Sequence, residues 1–236
     1  MPDRRAALLH SYGVAIVFLI LFAAGQILTV ALPPKTLTTV QRWASTNVSN
    51  LQHHPIPAVI LSAFLPTDST GIWLVIIALA MFGANRAAGN IRLLITCAAG
   101  HIIGTAVSEG TVAYRVDTGA LPRSWTHIID IGPSYVVVAA IVVAVLLGSP
   151  PARVIALVDF LILVPIGGIF DGLPELHVAA VGHVTSMLTA VVLVAAWLRR
   201  RVRQADQEPG DGPSAQGVAQ PAGADATAPD PPPARS

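Results

Sequence analysis

Charge is scarce in this chain. Only 11% of its 236 residues are Asp, Glu, Lys or Arg, whereas a soluble domain carries about a quarter. A water-facing surface cannot be built over most of it. The formal net charge is +1, which offers no footing for nucleic acid or for an acidic partner. Cysteine is nearly absent too. Cys97 stands alone, which excludes an intramolecular disulfide and a cysteine-built metal site. No internal repeat is present. What the chain does have is apolar sequence, 53% of its residues, and the bilayer is the solvent that composition asks for.

A bilayer core takes about 20 mostly apolar residues per helix. Six stretches approach that length. Tyr12 to Leu32 carries no charge. Ile56 to Gly83 is broken at Pro66-Thr67-Asp68, giving an apolar lead-in (Ile56 to Leu65) and a short helix from about Ser69 to Gly83. Leu93 to Ser108 is interrupted only by His101. Ile131 to Gly148 is rich in Val and Ala, Val154 to Phe170 contains Asp159 and Pro165, and Val178 to Leu198 contains His183. The expected fold is therefore all-α, a polytopic membrane protein of six transmembrane helices.

Charge asymmetry orients the spans. With the N-terminus inside, Arg4, Arg5, Arg86, Arg92, Arg153, Arg199, Arg200, Arg201 and Arg203 are cytoplasmic, and Lys35, Arg42, Arg115 and Arg123 are outside. Nine basic residues against four is the bias expected of inner loops. An even number of spans returns Arg199 to the side of Arg4, so both termini are expected in the cytoplasm of a multi-pass plasma-membrane protein. The first stretch resembles a signal peptide in part, but its length and the following Pro33-Pro34 fit a retained helix. The transmembrane domain is expected to span residues 1–203. Gln204 to Ser236 holds seven prolines, five acids and one large aliphatic residue, Val218. It cannot bury enough apolar surface to fold, so a disordered cytoplasmic tail is expected over residues 204–236.

Ionisable groups within spans are costly and usually face a bundle interior or a watery cavity. Here they are His101, Asp159 and His183, with Asp130, Ser134, Asp171, Glu175 and His177 near outer ends. Asp159 could snorkel or pair with Arg153. Asp130-Ile131-Gly132-Pro133-Ser134-Tyr135 opens the fourth span. Proline suits a first helical turn, and Gly132 would let backbone or substrate come close. Ser134 then lies in the first turn. His183 lies about five residues into the sixth span, roughly 8 Å below its outer end. Serine and histidine could meet at similar depth, and a serine needs such a base to become a nucleophile. The alternative is that Ser134 helps start its helix and His183 bonds a neighbouring carbonyl. Ala179, His183, Ser186 and Ala190 form one helical stripe, small apart from the histidine, as where membrane helices approach closely.

These motifs, over about Pro55 to Trp197, resemble the rhomboid family of intramembrane serine proteases in its six-helix bacterial form. Ile60-Leu61-Ser62-Ala63-Phe64-Leu65 is similar to the family's lead-in to its second helix, and Met81-Phe82-Gly83 to that helix's end. Gly132-Pro133-Ser134 resembles the Gly-x-Ser nucleophile motif. Gly182-His183, with Ser186 and Ala190, resembles Ala-His-x-x-Gly-x-x-x-Gly. The resemblance implies a six-helix bundle in which Ser134 is the nucleophile and His183 the general base. The implied substrate is another protein's transmembrane segment, cleaved near the outer face, with no metal or cofactor. The chain departs from the pattern at Tyr135, where the family has Gly, and at Gly71 and Val75, where it has His-x-x-x-Asn to hold the oxyanion. Gly132, Thr70 and His101 are the candidate supporting residues, together with Ser69 and the Ser134 backbone N–H. The alternative is a rhomboid-like protein without protease activity that binds transmembrane clients.

Other chemistries find less support. His-Glu-x-x-His is absent, and Asp171, Glu175 and His177 have no recognisable metal-ligand spacing. Asp130 and Asp159 fall at different depths, which does not suit an aspartyl protease. Paired broken helices in two repeated halves, the mark of many transporters, are missing. The stretch Gly110 to Ile129 reads as a long outer loop, with Trp125 and His127.

Overall fold

In a computed structural model of the chain, residues 4–66 and 71–207 are described. Thr70 and Ser69, candidate oxyanion residues, lie outside them, as do residues 208–236 of the proline-rich tail. The described residues are helical, with no strand among them. The helices are α1 (Arg4–Ala31), α2 (Pro34–Ala44), α3 (Val48–His53), α4 (Pro55–Ser62), α5 (Ile72–Ala88), α6 (Asn90–Asp117), α7 (Ser134–Leu147), α8 (Pro150–Ile166) and α9 (Val178–Gln207). A short 3-10 helix, Arg123–His127, precedes α7. The bundle comprises residues up to Arg199.

Each expected span finds one helix: α1, α5, α6, α7, α8 and α9. Three are long and apolar enough to cross a membrane alone, over Leu8–Ala31, Asn90–Asp117 and Val178–Gln204. Ile72–Ala88 and Ser134–Leu147 are shorter apolar helices. Proline opens α2, α4 and α8 at the first or second position, where its missing N–H costs nothing. α7 is the hub. It packs on α5, α6 and α8, and Val136 to Ile141 are all buried.

Three expectations need correction. Gly110 to Ile129 is not a loop throughout, because α6 runs on to Asp117. Val112 holds that extension by packing with Val48 and Val178 in a small apolar cluster. The lead-in Ile56 to Leu65 is largely the separate helix α4. Asp159 neither snorkels nor pairs with Arg153. It is fully buried, with no hydrogen-bond partner for either carboxylate oxygen among the described residues. The Arg153 guanidinium instead donates to the carbonyls of Gly148 (2.8 Å) and Leu146 (3.4 Å).

α1 breaks at Tyr12, where φ is −137° and ψ 15°. The break frees backbone groups, and two asparagines at the α5–α6 junction take them. Asn85 Oδ1 accepts from Ala15 N–H at 2.9 Å, and Asn90 Oδ1 from Val14 N–H at 3.2 Å. Asn90 Nδ2 donates to the carbonyls of Leu9 (3.0 Å) and His10 (2.8 Å). Asn85 Nδ2 donates to Asn90 Oδ1 at 2.9 Å.

Candidate functional site

The segment before α7 is strapped to the turn between α2 and α3 and to the end of α4. Thr46 N–H donates to Asp130 O at 3.0 Å, Asp130 N–H to Ser45 Oγ at 2.8 Å, and Gly132 N–H to Ser62 O at 2.8 Å. Gly132 has φ +131°, a conformation only glycine adopts without strain. Space beside it is open, so backbone conformation, and not a close approach, is what requires glycine there. These straps present Ser134 at the first turn of α7, half-buried.

Ser134 borders a polar cavity of about 10 Å³ whose walls include Thr46, Ser62, His101, Asp130 and Gly132. Its size is on the scale of a single water molecule. Of the residues singled out from sequence, Ser134, Gly132 and His101 thus share one cavity. His183 is not among its lining residues. No hydrogen bond joins Ser134 to His183 among the described residues. Val75 is 58% exposed on α5, turned outward from the bundle.

The two histidines are each held through one nitrogen. His183, 3% exposed, has Nδ1 at 2.9 Å from the Ile169 carbonyl oxygen. A carbonyl only accepts, so Nδ1 carries the ring hydrogen. In the neutral ring Nε2 is then a bare lone pair, and it is buried with no partner among the described residues. That tautomer is the one a general base needs. His101 Nε2 lies 2.8 Å from the Val59 carbonyl oxygen and 3.2 Å from Ser62 Oγ. By the same logic Nε2 carries the hydrogen, so it cannot act as a base toward Ser62, and its one N–H is committed to Val59. His101 Nδ1 is the bare nitrogen, again buried and unpartnered.

Tyr135 lies between the two imidazoles. Its ring is perpendicular to that of His183 (centroids 5.2 Å apart, 82° between planes) and tilted to His101 (6.0 Å, 49°). Its hydroxyl is 3.2 Å from Asp130 Oδ2 and 3.3 Å from the Val178 carbonyl oxygen. Thr46 Oγ1 also lies 3.2 Å from Asp130 Oδ2. Burial raises the Asp130 carboxyl above its ordinary value, opposed by its hydrogen bonds with Thr46 and Tyr135. Ser186, on the small stripe of α9, donates to the Tyr135 carbonyl at 2.9 Å. It faces Gly100 on α6, where a β-carbon would approach its Oγ to 2.9 Å. The close helix approach expected of that stripe is present.

Residues 7–203 match the model of a family described as rhomboid-like protein. The chain belongs to the rhomboid-like family. Its apolar helices and this membership make it an integral membrane protein. No curated protein and no solved structure matches it. Within this rhomboid-like chain, Thr46 and Ser62 line the cavity without a chemical motif to mark them, although Ser62 lies inside the lead-in motif. Asn85 and Asn90 carry no sequence signal either. Thr46 and Asp130 are 84 residues apart, so no local pattern could join them.

Proposed function

We propose that this rhomboid-like protein is an intramembrane serine protease that cleaves transmembrane segments with Ser134 as nucleophile and His183 as general base. The observation that carries the proposal is the state of the two groups. His183 is oriented through Nδ1 and keeps a buried Nε2 without a partner among the described residues. On the neighbouring α7, the Ser134 hydroxyl makes no hydrogen bond among the described residues. Catalytic hydrogen bonds are often long or unformed before substrate binds. A fluorophosphonate probe should label Ser134 in the purified protein. Labelling should be lost in Ser134→Ala and fall by about 10² or more in His183→Ala, since the base must take the hydroxyl proton. Absence of labelling, together with no cleavage of a transmembrane reporter, would refute the dyad.

A second reading, a rhomboid-like protein that binds transmembrane clients without cutting them, is favoured by one observation. The bulky Tyr135 is packed against His183.

The proposed placement is the plasma membrane with both termini cytoplasmic, carried by the arginine bias. Cys97 is buried, so single cysteines can be introduced elsewhere against a silent background. An impermeant maleimide added to intact cells should label Thr118→Cys and spare Gln204→Cys. Labelling at 204 and not at 118 would invert the topology.

A further inference from the structure

Two departures from the rhomboid pattern are one structural feature. The pattern has Gly after the nucleophile and Ala before the histidine, and this chain has Tyr135 and Gly182. A β-carbon on Gly182 would overlap Cζ and the hydroxyl oxygen of Tyr135. The side-chain bulk absent at 182 is present at 135, and the ring occupies the space. It is fixed at both ends, by its hydroxyl to Asp130 and Val178 and by its carbonyl to Ser186. Gly104 adds to the seat, since a β-carbon there would stand 3.5 Å from Tyr135 Cδ2. Ser134, the adjacent residue, lines the small polar cavity together with His101 and Tyr135, and the Tyr135 ring also packs perpendicular to His183.

We infer that Tyr135 is a positioning residue that latches His183 away from Ser134, seated by Gly182 and held by the Asp130 carboxyl. The inference rests on Ser134 and His183 being the reacting pair. In the resting site the ring packs against His183, and the serine and histidine meet only when it swings clear. The phenol takes no part in bond making. Its effect is on where the imidazole can reach.

The decisive measurement is the reactivity of His183 toward diethylpyrocarbonate, mapped by peptide mass spectrometry on the full chain in detergent. In Tyr135→Gly/Gly182→Ala, which exchanges the bulk back, modification of His183 should rise at least tenfold over wild type. Tyr135→Phe keeps the ring and drops the tether, and should give a smaller rise. Gly182→Ala alone should melt well below wild type, and adding Tyr135→Gly should restore most of the loss. That rescue distinguishes a paired fit from general damage at either position. Unchanged His183 reactivity in both Tyr135 variants would overturn the latch, as would a Gly182→Ala protein that melts like wild type. Labelling of Ser134 by the fluorophosphonate separates the two proposals. A tenfold rise alongside His183 reactivity supports both. Reactive His183 with unlabelled Ser134 removes the protease reading and the latch with it, leaving Tyr135 only as a cover over the histidine, whereas labelled Ser134 with unchanged His183 reactivity removes the latch alone.

Discussion

Replacing Asn90 by alanine should lower the melting temperature of the detergent-solubilised protein by roughly 5–15 °C. The break in α1 at Tyr12 would otherwise leave backbone groups open, and the Asn90 side chain serves three of them. Removing it strands the Val14 N–H and one Asn85 N–H in partly buried surroundings. A buried donor left without a partner costs about 1–3 kcal/mol. The carbonyls of Leu9 and His10 are exposed, so other donors can reach them and their share is small. Two stranded donors, each only partly buried, take the lower part of twice that range, about 2–4 kcal/mol, and each kcal/mol moves the midpoint of a chain this size by roughly 2–4 °C. Asn90→Asp keeps the acceptor and loses the amide donors, so its drop should be smaller. A melting temperature for Asn90→Ala within about 2 °C of wild type would show that the α1 break is held elsewhere.

The helices were legible because the bilayer demands a length and a composition that few other environments demand. Each apolar run became a helix, and the prolines marked where several begin. The boundaries that failed did so where tertiary contact overrode local pattern. Nothing in Gly110 to Asp117 announces a helix, yet Val112 gains an apolar seat between Val48 and Val178 that keeps α6 wound. Asn85 and Asn90 belong to no sequence motif, because their value lies in a break in another helix at least 70 positions away.

The candidate site was legible in its members and not in their arrangement. Gly132, Pro133 and Ser134 carry their own signals in backbone preference and helix start. Whether a serine and a histidine on different helices touch depends on what fills the space between them. Beside His183 the structure places Tyr135, which stands out in sequence only as a departure from Gly. Its partner Gly182 enters the sequence pattern only as the residue before the histidine. Their fit is a property of the pair, visible only once α7 and α9 are placed side by side.

Gly25→Ala should be the most damaging single methyl group added to α1. A β-carbon there would overlap the carbonyl oxygen of Phe64 and stand 3.0 Å from its carbonyl carbon. Both atoms are backbone, so no rotamer change relieves the contact. The opposing segment is itself pinned. Phe64 N–H donates to Leu61 O at 3.1 Å, the Phe64 ring packs on Phe18 with centroids 5.0 Å apart, and Gln41 Nε2 donates to Pro66 O at 3.1 Å. Overpacking typically costs about 1–3 kcal/mol, and more where backbone must move. A fall in melting temperature of roughly 5–10 °C is expected. The displaced segment follows directly on α4, whose Val59 and Ser62 carbonyls hold His101 Nε2 and Gly132 N–H. Serine-probe labelling at Ser134 should therefore fall even at temperatures where the protein remains folded. Leu28→Ala, on the same helix at a side chain 45% exposed, is the control and should leave both readouts near wild type. If Gly25→Ala melts with wild type, α1 does not rest against the end of α4. If it melts lower while Ser134 labelling is unchanged, the α1 contact stabilises the bundle without setting the geometry of the site.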